Sequence, residues 1–235
     1  MRILIFVLTF WTSSAIAVNI TASSWIVADE SGKIIQQENA DSVHPMASIT
    51  KLMTVMVVRD AHQDLTEHIQ GLTRQQLILL ALVHSDNRAA ETLCEHYPGG
   101  RDACLSAMNT KAQQLGMQHT HYHDASGLSV FNDSTARDLV LLVKAASKYD
   151  VVKQAATMNH VEIRRHKKWY RFFNTNPLIG RKHKFIVSKT GFTNPAGGCI
   201  AMMLDTDIGR RIVVVLGSRN THTRIPEAEF IADSY

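Results

Sequence analysis

The chain has 235 residues, 45% of them hydrophobic, and a formal net charge of +4. That length and composition suit one large domain with a sizeable core and exclude a low-complexity chain. Internal repeats and linker-like stretches are missing, so a single domain is expected over residues 18–235.

The first 17 residues, MRILIFVLTFWTSSAIA, place Arg2 before an apolar run from Ile3 to Trp11 and end on Ala15-Ile16-Ala17. This is the pattern of a cleaved secretory signal, because the apolar run is too short to span a bilayer; a retained anchor is the alternative. Later segments are not apolar for long enough to cross a membrane. An exported, periplasmic protein without an integral anchor after cleavage is therefore expected.

SWIVAD (24–29) and KIIQQE (33–38), joined around Glu30-Ser31-Gly32, read as a hairpin. Helical patterns follow at 48–61, 73–83, 86–96, 100–115 and 134–148. The last has Ser134 as its N-cap and an apolar face through Leu139, Leu142 and Val143. A short helical piece spans 151–157, and then the character changes. HVEIRR, KWYRFF, KFIVSK, CIAMML and RIVVVLG are strand-like, and a short helix closes the chain at 225–233. Strands at both ends with helices between them predict a mixed α/β (α+β) fold. Its core is an antiparallel sheet flanked by helices, with an inserted helical lobe. A Rossmann arrangement is excluded, since there is no GxGxxG and no βα alternation.

Three cysteines are present. Cys94 and Cys104 flank a Pro-Gly-Gly turn between two helical patterns, so in an oxidising compartment they are either bridged or a pair of buried thiols. Cys199, in the apolar run GGCIAMML, reads as a small core residue, and zinc-type cysteine spacing is absent. Between Arg164 and Lys184 stand eight Lys/Arg, two His and no acid. Export argues against nucleic acid as the partner of this patch and leaves an anionic envelope polymer or a solvated hairpin face.

HPMASITKLMTVMVV (44–58) carries one cation, Lys51, a turn after Ser48 in an otherwise apolar helical run. Residues at i and i+3 share a helix face about 5–6 Å apart, so the amine can reach the hydroxyl. On its own the pair reads as a serine N-cap and a snorkelling lysine, or as a nucleophile and its base. The second reading requires the lysine to lose its proton near neutrality, which desolvation in an apolar setting would favour. Two further stretches bear on the choice. LVHSDNRAAETL gives Ser85-Asp86-Asn87 at a helix entrance, and KFIVSKTGFTNPAGG gives Lys189-Thr190-Gly191 at a strand end. Each alone is weak, but the order SxxK, SDN, KTG is the motif set of penicillin-binding proteins and serine β-lactamases.

ASITKLMTVMVVRDA, HSDNRAAETL, LGMQHTHYHDASGLSVFNDSTARDLVLLVKAAS and NTNPLIGRKHKFIVSKTGFTNPAGGC extend this likeness over nearly the whole chain after the signal. The sequence resembles low-molecular-mass penicillin-binding proteins, most of all their D-alanyl-D-alanine endopeptidase branch, which cuts peptide cross-links in peptidoglycan. The resemblance implies the β-lactamase/DD-peptidase fold and no cofactor. It implies that Ser48 attacks a D-alanine carbonyl, that Lys51 takes its proton, and that Ser85 bridges the two lysines and relays a proton to the leaving amine. Asn87 would bind the substrate amide and position Lys51, while Lys189 and Thr190 hold its negative end. Gly191 would let the strand lie close to the ligand, and the backbone N–H groups of Ser48 and Phe192 would form the oxyanion hole. Stem peptides are the implied partners and β-lactams the implied covalent inhibitors. Asp86 is expected to start its helix rather than react. The second β-rich domain and C-terminal anchor of many carboxypeptidase relatives are not expected here, the final helix looks short, and Phe192 is bulky beside the oxyanion hole.

Four alternatives stand beside this reading. A D-alanyl-D-alanine carboxypeptidase would use the same machinery. A β-lactamase would need a carboxylate to activate deacylating water, for which the candidates are Glu91, Glu95, Glu162 and Asp124. A non-catalytic wall-binding module would keep the fold without the chemistry. Finally, His119, His121 and His123 alternate, so an extended segment would present all three to one side as for zinc, with Asp124 following; the resemblance implies surface histidines and no metal there.

Overall fold

The computed structural model describes residues 19–165 and 167–235; the segment read as an export signal lies outside them. Strand β1 (Ser24–Asp29) turns into β2 (Ile34–Glu38) as expected. Asp29 Oδ1 closes the turn by accepting from the backbone N–H groups of Ser31 (2.9 Å) and Lys33 (3.0 Å), a local bond that short acidic side chains favour. After β3 (His44–Pro45), a single 3₁₀ turn at Ala47–Ile49 leads into α1 (Thr50–Asp60). Ser48 thus lies one turn ahead of the helix, and its side chain does not cap it.

A small hairpin, β4 (His68–Ile69) and β5 (Leu72–Thr73), feeds α2 (Arg74–Leu79). Thr73 Oγ1 accepts from Gln76 N (3.1 Å) while Gln76 Oε1 accepts from Thr73 N (2.9 Å), satisfying two orphan donors reciprocally. The sequence pattern runs this helix to 83, but the chain widens into a π turn at Leu80–His84. α3 (Asn87–Glu95) and α4 (Gly100–Gln114) follow, and a Cys94–Cys104 disulfide joins them. Strand β6 (Asp133–Ser134) pairs with β3, so Ser134 is not the cap of α5 (Ala136–Ala146). That role falls to Thr135, whose Oγ1 accepts from Asp138 N at 3.1 Å. α6 (Asp150–Ala155) precedes a two-stranded ribbon, β7 (His160–Arg165) with β8 (Lys168–Phe173). The chain ends with β9 (Lys184–Thr193), β10 (Gly197–Thr206), β11 (Gly209–Ser218) and α7 (Arg224–Ser234).

The main sheet is antiparallel, in the order β2-β1-β11-β10-β9. The first hairpin therefore joins the last strands, and the helical lobe lies between them in the chain. Period-two alternation sorts the side chains. Ile26, Ala201, Met203, Ile212 and Val214 face α1 and α5, whereas Trp25, Val27, Ile200, Met202, Val213 and Val215 face α7. Both faces are dry, so each buried Val, Ile or Met contributes about 1.5–3 kcal/mol of transfer free energy. The final helix packs despite its length: Ala228, Ile231 and Ala232 are fully buried, and Glu227 Oε1 ties it to Thr21 through N (2.8 Å) and Oγ1 (2.6 Å). Cys199 is a buried free thiol in β10, raised to about 11 by burial. Among the described residues no helix is long and apolar enough to cross a membrane.

Candidate active site

Strand β9, the edge of the sheet, runs against the turn that carries Ser48. A Cβ at Gly191 would lie 2.9 Å from Ser48 N and 3.1 Å from Met46 O, so only glycine permits this approach. The turn itself is held in an unfavourable conformation, since Ala47 has φ 48°. Gly127 supports it from the other side, where any Cβ would overlap Ala47 O.

Lys51 points from the first turn of α1 to the Ser48 hydroxyl. Its Nζ makes three hydrogen bonds, to Ser48 Oγ (2.7 Å), Asn87 Oδ1 (2.7 Å) and Ser126 O (2.6 Å). The last two partners can only accept. A neutral amine would keep its two N–H bonds on them and turn its lone pair to the serine, ready to receive a proton. The side chain is 0% exposed, and burial lowers its pKa to about 8 against the opposing pull of Asp124, Asp86 and Glu91. Those surroundings bring the Lys51 amine closer to its neutral form than an exposed lysine would be.

Asn87 reaches Lys51 because Asp86 caps α3, its Oδ1 accepting from Ala89 N at 2.8 Å. Asp86 has the helix-start role expected of it. Ser85 sits in the left-handed region (φ 60°), which aims its hydroxyl at the second lysine. Lys189 Nζ donates to Ser85 Oγ (2.8 Å) and Thr190 O (2.8 Å). It is 1% exposed, and its pKa falls well below the ordinary value through burial, then repulsion from Lys51 and Arg224. Ser85 bonds one lysine and not both; the third bond of Lys51 goes to Ser126 O instead. Thr190 is buried and shares a 2.6 Å hydroxyl contact with Thr175, while Phe192 stands 44% exposed at the rim. All eight residues singled out from the sequence thus lie on four neighbouring segments: the Ser48 turn, α1, the stretch 85–87 and β9.

Several contributors carried no sequence signal strong enough to be chosen. Asp124 accepts from the backbone N–H groups of Ser126 (2.9 Å), Gly127 (2.5 Å) and Ser129 (2.6 Å), shaping the loop that brings Ser126 O to Lys51. Arg224 Nη1 donates to Gly191 O at 2.6 Å from the start of α7. Of the carboxylates considered for water activation, Asp124 is taken up by its loop, Glu91 accepts from Ala125 N (3.2 Å) and Glu162 pairs with Arg171 (2.7 Å). His121 and His123 meet edge to face with ring centroids 4.6 Å apart, but among the described residues no three His, Cys, Asp or Glu side chains come together as metal ligands.

The sequence profile described as D-alanyl-D-alanine carboxypeptidase matches residues 11–70 and 64–220. The chain belongs to that family. It is 39% identical to a D-alanyl-D-alanine endopeptidase of Pseudomonas aeruginosa, across 89% of this chain and 75% of the relative. A D-alanyl-D-alanine endopeptidase of Escherichia coli is 37% identical, across 88% and 74%. The ampicillin-bound crystal structure of penicillin-binding protein D2 from Listeria monocytogenes superposes with a TM-score of 0.80 at 28% identity, covering 91% of this chain and 96% of that one. The order of sheet and helices is therefore that of the D-alanyl-D-alanine carboxypeptidase family, as the motif order implied.

Proposed function

We propose that this chain is a periplasmic serine D-alanyl-D-alanine endopeptidase that cuts peptidoglycan cross-links through an acyl-enzyme on Ser48. The observation that carries the reading is the 2.7 Å contact between Ser48 Oγ and a buried lysine lowered to about 8. In this reading Ser48 Oγ attacks the carbonyl carbon of a D-alanine residue while its proton passes to neutral Lys51 Nζ. The backbone N–H groups of Ser48 and Phe192 hold the oxyanion. The C–N bond then breaks, and the leaving amine takes the proton that Lys51 received, relayed by the nearby Ser85 hydroxyl, which in the resting site is bonded to Lys189. Lys51 is thereby neutral again. A water molecule attacks the resulting ester, Lys51 accepts its proton, and the Ser48 C–O bond breaks to restore the hydroxyl. One water is consumed for each peptide bond cut.

Asn87 has the remaining amide donors to orient the substrate backbone, and Lys189 with Thr190 binds its carboxylate. A β-lactam enters by the same route and stays as a stable ester. The relatives named endopeptidase support cross-link cleavage over terminal trimming, as does the run of cations from Arg164 to Lys184, which suits an anionic polymer. The first 17 residues act in this reading as the export signal.

Two measurements test it. A fluorescent penicillin labels the protein, and Ser48→Ala abolishes the label; full labelling of the alanine variant would reject the nucleophile. With purified muropeptides, cross-linked dimers fall to monomers faster than pentapeptide loses its terminal alanine. Release of free D-alanine with dimers intact would assign a carboxypeptidase instead.

A further inference from the structure

A cavity of about 470 Å³ lies between the β4–β5 hairpin, the start of α3 and the tip of the β7–β8 ribbon. That size falls within the range of about 300–1,000 Å³ typical of ligand pockets. Leu72, Leu77 and Leu80 give it an apolar wall, and Arg88, Arg164 and Arg165 also line it, the last two being consecutive residues of β7 whose side chains leave opposite faces of the ribbon. We propose that this cavity is a subsite for an acidic peptide, namely the second stem peptide of a cross-linked substrate. The proposal rests on the endopeptidase reading above.

Charge is the first argument. Among the described residues Arg88, Arg164 and Arg165 have no acidic partner, and neither do Arg59, Arg181, Arg219 and Arg224; what sets the first three apart is that they line one cavity. Arg88 Nη2 donates only to the neutral Gln70 Oε1, at 3.3 Å. The one acid lining the cavity, Asp86, already caps α3 through Ala89 N. Three cations against one engaged carboxylate leave a positive excess on a concave surface, where low-dielectric walls focus the field. Guanidinium forks match carboxylates bidentately, so a peptide with more than one carboxylate fits better than a neutral ligand.

Position is the second argument. Asp86 and Arg88 line the cavity, and the residue between them, Asn87, accepts from Lys51. The residue before them, Ser85, accepts from Lys189. Four consecutive residues therefore have the reacting groups on one side and the cavity on the other. Extended peptide advances about 3.3–3.6 Å per residue, so a chain passing Asn87 reaches the arginines within a few residues. Alanine methyls then meet the leucine wall while the acidic groups meet the rim. A substrate with a single stem peptide ends before this point, so the subsite distinguishes the two substrates.

A rival occupant is the glycan strand. Trp169, 66% exposed, pairs with Arg164 across the ribbon and offers a flat ring to a sugar. Concavity and a lining with three arginines against one engaged acid favour carboxylates, and the experiment separates the two. In an Ser48→Ala background, which cannot turn over substrate, binding of a fluorescent cross-linked muropeptide dimer is measured by anisotropy, so the result does not depend on catalysis. Arg164→Ala with Arg165→Ala weakens binding about tenfold, the scale of a lost charge-assisted contact. Amidating the dimer's carboxylates also removes the one assigned to Lys189 and Thr190, so the cavity is read from the difference: the amidated dimer binds at least about tenfold more weakly to the parent and is indifferent to the arginine changes. Equal affinity for native and amidated dimers, or undiminished binding by the double variant, overturns the proposal. So does a loss confined to Trp169→Ala, which assigns the surface to glycan. Penicillin labelling with Ser48 intact reports separately on the acyl-enzyme reading.

Discussion

Lys51→Arg tests whether the buried lysine works as a base or only as a charge. With its pKa lowered to about 8, Lys51 is neutral in about one molecule in ten at pH 7. An ordinary lysine would be neutral in about three in ten thousand, so burial raises the free-base population about 300-fold, or about 3 kcal/mol. Arginine supplies the charge and the donors but stays protonated at any usable pH. Second-order acylation by a fluorescent penicillin, followed from pH 6 to 10, reads the difference. The native protein should gain about tenfold per pH unit below 8 and level off above it. The arginine variant should lose about 10²–10⁴-fold, the usual contribution of a positioned base, and show no such limb. Stability gives a second reading. The folded-state pKa lies below the unfolded value, so between about pH 8 and 10.5 the unfolded chain binds more protons and the contribution of Lys51 to stability rises with pH. Near-native acylation by Lys51→Arg, or a flat native profile from pH 6 to 9, would refute the base assignment.

Replacing Cys94 and Cys104 by alanine opens a loop with a sequence separation of 10 and should cost about 3 kcal/mol in the chain-entropy model, seen as a lower urea midpoint; an unchanged midpoint would contradict it. Gly191→Val drives a side chain into Ser48 N and Met46 O, so acylation should fall by about a hundredfold or more, whereas labelling within threefold of native would mean that the strand can retreat. Asp124→Ala releases three backbone N–H groups and loosens Ser126 O from Lys51, so acylation should drop about tenfold and the limb of its pH profile should move; a changed melting temperature with native acylation would make the loop purely structural.

Most elements were legible because period and punctuation agreed. The β1–β2 hairpin, α3 after Asp86 and the three last strands needed only alternation and a cap. Boundaries failed where two local solutions compete. Ser134 and Thr135 can both cap α5, and pairing of β6 with β3 decides between them. Leu77–Val83 is apolar enough for a straight helix, yet the chain widens there so that Ser85 can enter the left-handed region. The residues proposed to react were visible because three short motifs fix their identity and order. Their supports were not. Ala47 carries backbone strain and no side-chain signal, and Arg224 is one arginine among many until the fold sets it on Gly191 O.

The site concentrates three buried cations, Lys51, Lys189 and Arg224, and among the described residues none of them forms an ion pair. Their bonds go to neutral atoms: Ser48, Asn87 and Ser126 for the first, Ser85 and Thr190 for the second, Gly191 for the third. Burying charge without a counter-charge costs stability, and burial shifts all three groups towards their neutral forms. A fold under selection for stability alone would place a carboxylate among them. That carboxylate would also restore Lys51 to an ordinary ammonium and occupy Lys189, removing together the base and the substrate anchor of the mechanism proposed above. In that proposed mechanism the imbalance is functional: the substrate's carboxylate and the developing oxyanion bring the negative charge that the protein withholds. The same logic explains why Asp124, Asp86 and Glu91 stand near Lys51 without touching it: each accepts from a backbone N–H, and Glu91 also pairs with Arg101. They temper the cost of the buried lysine without neutralising it.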